Sequence, residues 1–314
     1  MAAATKIIRS VLQMRSWRRQ CLVENQSVGF VPTMGALHMG HCHLVKSSLA
    51  ENDKTVVSIF VNPSQFAPHE DLDAYPRTLD RDWRMLKTMF PDKPVDAVYV
   101  PETSEMYPSG ILLNVSEQKG AFVTVFGCSE GLEGTQRPAF FRGVATVVTK
   151  LLNVVLPDRV YFGQKDAQQC VVVKNLVKDL LIDTEVRILE TFRESNGLAM
   201  LSRNAYLSPE VLDQAAIIYR GLCAGREVYA THVVSARSVS ARLITDVVRN
   251  VYSNMPLLWE VEYVAVSHPD TLEDLEGVDF AVGGLVSTAV RVPRGDGGIA
   301  RLIDNVPLAP QTHA

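Results

Sequence analysis

His38 and His41 stand three residues apart in VGFVPTMGALHMGHCHLV (28–45), with Gly40 between them. Residues three apart share one face of a helix, and the apolar run at 28–31 before them is typical of a short buried strand. A strand, a glycine-bearing turn and a helix start together present backbone N–H groups to a phosphate. Because the two imidazoles would add directed donors, this stretch predicts a phosphate-binding site.

Short apolar runs rich in β-branched residues predict the strands that carry this and other polar blocks. They lie at 28–32, 55–61, 96–101 and 159–163, and periodic segments predict helices near 38–52, 78–90 and 142–155. The alternation predicts βαβ units in a parallel sheet, whose ligands bind beyond the carboxyl ends of the strands. Two further polar blocks, NPSQF (62–66) and GQKDAQQ (163–169), directly follow predicted strands.

The second half of the chain has a different pattern. A strand that runs into a polar turn is predicted at 185–194, helices at 208–230 and about 236–252, and strands at 259–269, 287–293 and 301–308. This order is typical of an α+β domain. We therefore predict an α/β protein with a Rossmann-like parallel-sheet domain over 1–187 and a smaller α+β domain over 188–314.

The composition limits the kind of ligand and compartment. The 314 residues carry a net charge of -4, which gives no broad attraction to nucleic acid or to an anionic membrane. Five cysteines without a C-x-x-C pair argue against a disulfide framework or a zinc site, and no apolar run is long enough for a membrane span. We expect a cytoplasmic protein.

The N-terminal 21 residues are basic and contain no acid, which leaves two interpretations open. One is an organelle transit peptide. The favoured one is an amphipathic first helix that packs Val11, Leu12, Met14 and Trp17 inward.

Several blocks in this order resemble one family. PTMGALHMGH (32–41), IFVNPSQF (59–66), YFGQKDAQQ (161–169) and GLAMLSRNAYLS (197–208) occur together with YPRTLD (75–80), RPAFFRGV (137–144) and RLIDNVP (301–307). The set resembles the pantothenate synthetases, or pantoate–β-alanine ligases, which belong with the H-x-G-H nucleotidyltransferases. The resemblance spans roughly 8–307. It implies ATP-dependent condensation of pantoate with β-alanine through pantoyl adenylate, with release of AMP and pyrophosphate, in a homodimer whose second domain forms a lid.

The resemblance also implies roles for individual residues. Catalytic roles fall on His38, His41, Lys165, Ser202 and Arg203. Nucleotide contacts fall on Met34, Gly40, Gly163, Lys165, Asp166, Ser202 and Arg203. Contacts to pantoate or its pocket fall on Met34, Asn62, Gln65, Tyr75 and Gln169. Mg²⁺ is expected with ATP, and Asp82 is a weak candidate ligand; a solvated acid at a helix start is the favoured interpretation of Asp82.

Three positions depart from the family pattern and leave alternatives open. Leu201 stands where a serine is usual, Gln164 where a glutamate is usual, and Phe140 where a histidine is usual. A weakened or inactive family member that binds a nucleotide or a partner is therefore one alternative. A nucleotidyltransferase that acts on another small acceptor is the other.

Overall fold

The computed structural model of the protein describes residues 5–67, 72, 73, 75–201, 204, 207–233, 236–295 and 297–311. The chain divides into two compact units. The first comprises residues up to Gly163 together with Gln168–Leu189, and the second comprises Gln164–Ala167 together with the residues from Glu190 onward.

A six-stranded parallel sheet forms the centre of the first unit. Its strands are β1 (Lys6–Ile8), β2 (Val28–Thr33), β3 (Lys54–Ile59), β4 (Ala97–Tyr99), β5 (Arg159–Gly163) and β6 (Glu185–Leu189). The strand order is β1-β4-β3-β2-β5-β6, and every neighbouring pair is parallel. From β2 the chain adds β3 and β4 on one side and later β5 and β6 on the other. The switch point, where ligands of such sheets bind, therefore lies between β2 and β5.

Helices flank this sheet. They are α1 (Val11–Val23), α2 (Met39–Glu51), α3 (Leu79–Met89), α4 (Thr103–Met106), α5 (Glu133–Gln136), α6 (Phe140–Val155) and α7 (Ala167–Asp179). Short 3-10 turns cover Pro63–Gln65, Val115–Glu117 and Gln164–Asp166. Central strands such as β2 are buried along most of their length because helices cover both faces of the sheet.

The second unit combines helices with antiparallel strands. Its elements are α8 (Pro209–Gln214), α9 (Ala216–His232), β7 (Ser238–Ser240), α10 (Ala241–Tyr252), β8 (Glu260–Ser267), β9 (Gly277–Asp279), β10 (Gly284–Pro293) and β11 (Ile299–Leu308). β11, β10 and β8 form one antiparallel sheet, and β7 pairs with β9. α9 and α10 pack their apolar faces on these strands around Leu222, Ile244 and Val286.

The predicted fold class is confirmed, with local corrections. β2 to β5 occupy the four predicted strands, whereas β1 was not predicted because a three-residue strand carries too little periodic signal. The strand predicted over 185–194 ends at Leu189, and the helix predicted over 208–230 is broken into α8 and α9 at Ala215. β7 precedes α10 where a continuous helix was expected.

The basic N-terminal segment folds as α1, but its packing differs from the prediction. Met14 is fully buried, whereas Leu12 is exposed. Arg18, one of the basic residues, is buried instead and donates from Nη2 to Asp158 Oδ2 at 3.2 Å and from Nε to the Leu156 carbonyl at 2.7 Å. Among the helices of the described residues, we find none with the length and apolarity that a membrane span requires.

Candidate functional site

The loop that follows β2 ends in an unusual helix cap. His38 is the N-cap of α2, and its Nδ1 accepts a hydrogen bond from the Gly40 N–H at 3.2 Å. His41 Nδ1 accepts from the His38 N–H at 3.3 Å, and the two ring centroids lie 4.0 Å apart. Because each Nδ1 accepts, the proton of each neutral imidazole lies on Nε2. The two rings thus form a pair whose donor atoms are the Nε2 atoms, at the start of a helix whose first N–H groups attract anions.

The backbone before this cap is held by a buried acid. Asp82, in the first turn of α3, is fully buried. Its Oδ2 accepts from the Ala36 N–H at 2.9 Å, and its Oδ1 accepts from the Leu37 N–H at 2.8 Å. Thr78 Oγ1 lies 3.2 Å from each of the two oxygens. The expectation of a solvated acid was therefore wrong.

A buried polar cluster lies behind Gln65, in the 3-10 turn after β3. Asn62 is only 1% exposed, and its Nδ2 donates to Gln65 Oε1 at 3.0 Å and to the Gly143 carbonyl at 3.2 Å. Its Oδ1 accepts from Tyr107 Oη at 2.6 Å and from Ser64 Oγ at 3.0 Å. Burial raises the pKa of Tyr107 to about 12, so this phenol stays a neutral donor. These contacts hold the Gln65 amide oxygen against Asn62, and the predicted contact of Asn62 with the substrate stays a prediction.

The FRGV segment at the start of α6 packs against the same turn. A Cβ on Gly143 would lie 2.2 Å from the Ser64 carbonyl oxygen, so only glycine allows this approach. Arg137 donates to the Gln65 carbonyl at 3.2 Å, and its guanidinium lies 4.0 Å from the centroid of the Phe140 ring. Phe140, which replaces the usual histidine, therefore supports the arginine that contacts this turn.

A cavity of about 440 Å³ opens beside these loops. Met34, Phe60, Arg77 and Glu102 are among the residues that line it. Tyr75 lies nearby in sequence and packs edge-on against Phe66, with 5.9 Å between ring centroids. The wall of the cavity is mainly apolar, and Arg77 and Glu102 are its charged side chains.

The segment after β5 supplies the second predicted glutamine. Gln169 is half-buried in the first turn of α7, and Gly163 ends β5 with open space where a Cβ would stand. Gln168, in contrast, is buried; it accepts from the Glu133 N–H at 2.9 Å and donates to the Gly131 carbonyl at 2.8 Å. Of the two adjacent glutamines, Gln168 is thus held by backbone groups of the fold, and a ligand contact of Gln169 stays a prediction.

The turn that carries Lys165 belongs to the second unit and is held by β11. Asn305 is 3% exposed, and its Nδ2 donates to the carbonyls of Gln164 and Lys165, both at 2.9 Å. Gln164 Nε2 donates back to Asn305 Oδ1 at 3.0 Å. Lys165 Nζ and Asp166 Oδ1 form an ion pair at 2.8 Å. Gln164 departs from the family pattern, and its amide N–H group has an acceptor in the side chain of Asn305.

The neighbour of Asn305 anchors the same strand. The carboxylate of Asp304 accepts two hydrogen bonds from Arg193, at 2.7 and 3.0 Å. Arg193 also lies over the Tyr219 ring, 3.6 Å from its centroid. A bidentate pair of this kind fixes geometry as well as charge.

Ser202 and Arg203 are the remaining residues predicted to bind the phosphates, and both lie outside the described residues. Leu201, directly before them, is half-buried and packs against the apolar cluster that contains Leu198, Leu207 and Ile217. The hydrocarbon side chain at this departure is therefore accounted for by core packing.

The residues present offer little to a resident metal ion. The part of the chain that the structure describes contains no group of three or more acidic, histidine or cysteine side chains close enough to hold one. Both oxygens of Asp82 are occupied by N–H and O–H donors, whereas Mg²⁺ requires oxygen ligands that face it. These residues do not fit a Mg²⁺ ion held by the protein alone.

Sequence reasoning missed the supporting side chains. Tyr107 lies outside the motif blocks, whereas Gly143, Arg137 and Asn305 lie within them but carry no signal of a supporting role. Their partners are 43 to 141 residues away along the chain, and no local pattern marks such contacts.

The comparisons with known proteins agree along the whole chain. A family model described as pantoate-beta-alanine ligase matches residues 6–307. The pantoate--beta-alanine ligase of Saccharomyces cerevisiae is 44% identical over 313 residues, which cover 96% of this chain and 99% of the yeast protein. The crystal structure of pantothenate synthetase from Thermus thermophilus matches with a TM-score of 0.82 and 38% identity, and covers 98% of this chain and 100% of that one.

A second solved relative was determined with ligands. The pantoate-beta-alanine ligase of Francisella tularensis, complexed with beta-gamma ATP and beta-alanine, matches with a TM-score of 0.70 and 32% identity. The match covers 97% of this chain and 98% of that one.

Proposed function

The chain belongs to the pantoate–β-alanine ligase family, and from that premise we propose how its own residues carry out the reaction. The protein is an ATP-dependent ligase that joins pantoate to β-alanine and forms pantothenate. The observation that carries this conclusion is the family match over residues 6–307. The adenylate route explains why ATP is needed: a carboxylate resists attack by an amine, and transfer of AMP to it supplies a good leaving group.

The first step brings two anions together, and the proposal assigns the neutralising groups. The carboxylate of pantoate attacks the α-phosphorus of ATP, and the bond between the α-phosphorus and the bridging oxygen of pyrophosphate breaks. His38 and His41 donate from Nε2 to phosphate oxygens as charge grows on them. Lys165 adds a positive charge, and Ser202 and Arg203 hold the departing pyrophosphate. Two observations support these roles: the Nδ1 atoms of both histidines accept backbone N–H groups at the start of α2, and the chain matches the family.

The neutral amides are assigned to pantoate. Gln65 and Gln169 donate to its carboxylate or hydroxyl groups, and Met34 packs against its methyl groups. The buried Asn62 fixes which end of the Gln65 amide faces the ligand. In the second step the β-alanine amine attacks the activated carbonyl, the C–N bond forms, the bond between the acyl carbon and the AMP oxygen breaks, and the nitrogen loses a proton to solvent as AMP leaves.

The nucleoside contacts follow the same reasoning. Asp166 accepts from the ribose hydroxyls, and the backbone of Gly163, where no Cβ obstructs, approaches the nucleoside. Gly40 leaves similar room at the phosphates. Tyr75 frames the pantoate pocket.

Membership of the family also supports proposals about the metal ion, the oligomeric state, the second unit and the location. We expect Mg²⁺ to arrive with ATP and to be held mainly by phosphate oxygens and water, as is usual for this ion. We expect a homodimer, a second unit that acts as a lid, and a cytoplasmic location. Sedimentation equilibrium tests the dimer.

One assay tests the function directly. The protein is incubated with ATP, pantoate and β-alanine, and AMP and pantothenate are followed. We expect equal amounts of both, and a loss of about a hundredfold or more in His41→Ala and Lys165→Ala. His43→Ala is the matched control, because His43 lies on the same helix outside the motif. Nucleotide binding without product would instead indicate an inactive family member, and AMP transfer to another acceptor would indicate a nucleotidyltransferase. No observation on the described residues favours either alternative.

A further inference from the structure

The loop between β2 and α2 has a backbone shape suited to an anion. Gly35 and Ala36 follow each other with φ of +83° and +50°. In a turn, successive backbone N–H groups can point to one side and form a concave anion-binding surface, and here the N–H groups of Ala36 and Leu37 point to the same side chain. Such a conformation is unfavourable for alanine, so its surroundings must stabilise it.

The anion in that concavity is a side chain of the protein itself. The two oxygens of Asp82 accept from the Ala36 and Leu37 N–H groups, at 2.9 and 2.8 Å. The loop also fits tightly around the carboxylate, because a Cβ on Gly35 would lie 3.1 Å from Asp82 Oδ2. Thr78 Oγ1 completes the set, and no part of Asp82 is exposed.

These contacts give Asp82 a role different from metal binding. We propose that Asp82 is a positioning residue, the internal anion that fixes the loop at 35–37 and so sets Met34 and the His38–His41 cap for ATP and pantoate. The inference rests on the proposed function, because it names what holds the histidines assigned to the phosphates. Only three residues join Met34 to His38, so a change in the path of the loop must move both.

Asp82→Asn is the sharpest perturbation, since it keeps the size and removes the charge. An amide can accept with one atom only, and its NH₂ group would then face a backbone N–H. Asp80→Asn is the matched control: Asp80 lies in the same first turn of α3 but is exposed. Three measurements compare the variants with the unmodified protein: hydrogen exchange of the backbone amides at 33–41, kcat and KM for ATP in pyrophosphate release, and the Mg²⁺ concentration that gives half-maximal rate.

We expect Asp82→Asn to exchange at 33–41 about tenfold faster, with the amides of α6 unchanged, and to lose about ten- to a hundredfold in kcat/KM for ATP. The Mg²⁺ requirement should stay within twofold of the unmodified protein, and Asp80→Asn should match it in every measurement. A tenfold rise in the Mg²⁺ requirement with normal exchange would identify Asp82 as a metal ligand and overturn the proposal. Normal exchange with normal kinetics would overturn it as well.

Thr78→Val decides the matter if Asp82→Asn does not fold. It removes one donor from the carboxylate with little change of shape. We expect exchange at 33–41 to be several-fold faster and kcat/KM for ATP to be several-fold lower. If neither changed, the proposal that Asp82 fixes the loop would be refuted. The exchange measurement also separates the two proposals. If the unmodified protein released no pyrophosphate, the proposed function would fail, yet the comparison of exchange at 33–41 would still test whether Asp82 holds the loop.

Discussion

Gly143→Ala should damage the pantoate site although Gly143 has no side chain to contact a ligand. The added Cβ would lie 2.2 Å from the Ser64 carbonyl oxygen and 2.6 Å from the Gln65 nitrogen. Because real Cβ atoms essentially never approach other atoms closer than 3.0 Å, helix and turn must separate by at least about 0.8 Å. The obstructing atoms are backbone, so no side-chain rotation relieves the clash.

The magnitude follows from two opposing terms. Overpacking of this kind costs about 1–3 kcal/mol, and the better helix propensity of alanine returns about 1 kcal/mol. We expect a net loss of about 0–2 kcal/mol in the free energy of unfolding. The effect on activity should be larger, because a misplacement near 1 Å can lower a rate by about a hundredfold. Since Gln65 is displaced and the nucleotide groups are not, KM for pantoate should rise at least about tenfold with KM for ATP little changed.

The assay is steady-state AMP release with pantoate varied and with ATP and β-alanine saturating, together with thermal unfolding. Gly131→Ala is the matched control, because Gly131 is exposed and an added Cβ would meet nothing within 4 Å. It should leave KM unchanged. A Gly143→Ala enzyme with normal KM for pantoate would refute the argument that this close approach sets the position of Gln65.

Three further predictions concern other supports. Asn305→Asp removes both donations to the turn that carries Lys165, and should raise KM for ATP about tenfold in the same assay while KM for pantoate stays constant. Leu201→Ser should lower the free energy of unfolding by about 1–3 kcal/mol in chemical denaturation, because Leu201 packs into the core. We expect no gain in the rate of AMP release. A faster enzyme would show that the serine hydroxyl usual at this position contributes to catalysis. Arg18→Met removes the guanidinium from the Leu156 carbonyl and from Asp158, whose Oδ2 keeps the Val28 N–H as a donor. It should lower the free energy of unfolding by about 1–3 kcal/mol in the same measurement, less than for a fully buried pair because the carboxylate is 45% exposed; an unchanged unfolding midpoint would contradict the structural role of α1.

The parallel sheet could be predicted because its signal is local. Runs such as TVVSIFV are long, apolar and β-branched, and strands covered on both faces need that composition. The errors occur where the signal is short or interrupted. β1, β7 and β9 have three residues each, and the break between α8 and α9 falls within a continuous periodic pattern at Ala215.

The candidate site divides in the same way. The block that contains His38 could be found from residue types and spacing, whereas Gln65 and Lys165 were assigned through the family resemblance. What holds them could not, because Asp82 meets its loop 45 and 46 residues away in sequence and Asn305 meets its turn 140 and 141 residues away. One sequence shows which side chains can do chemistry, whereas contact partners across the fold require coordinates.

The side chains that support the site are buried and polar, and this affects both the stability of the fold and the rigidity of the site. Asp82, Asn62 and Asn305 are polar and at most 3% exposed, and a buried polar group without partners is strongly unfavourable. Each is tolerated because its contacts come from one particular backbone path: two N–H groups for Asp82, the Gly143 carbonyl for Asn62, and two carbonyls for Asn305. If that path shifts, the buried group loses its partners, so these residues penalise alternative loop conformations more strongly than apolar packing would. Rigidity at the loops that carry the ligand-binding groups therefore follows from buried polarity in the layer behind them.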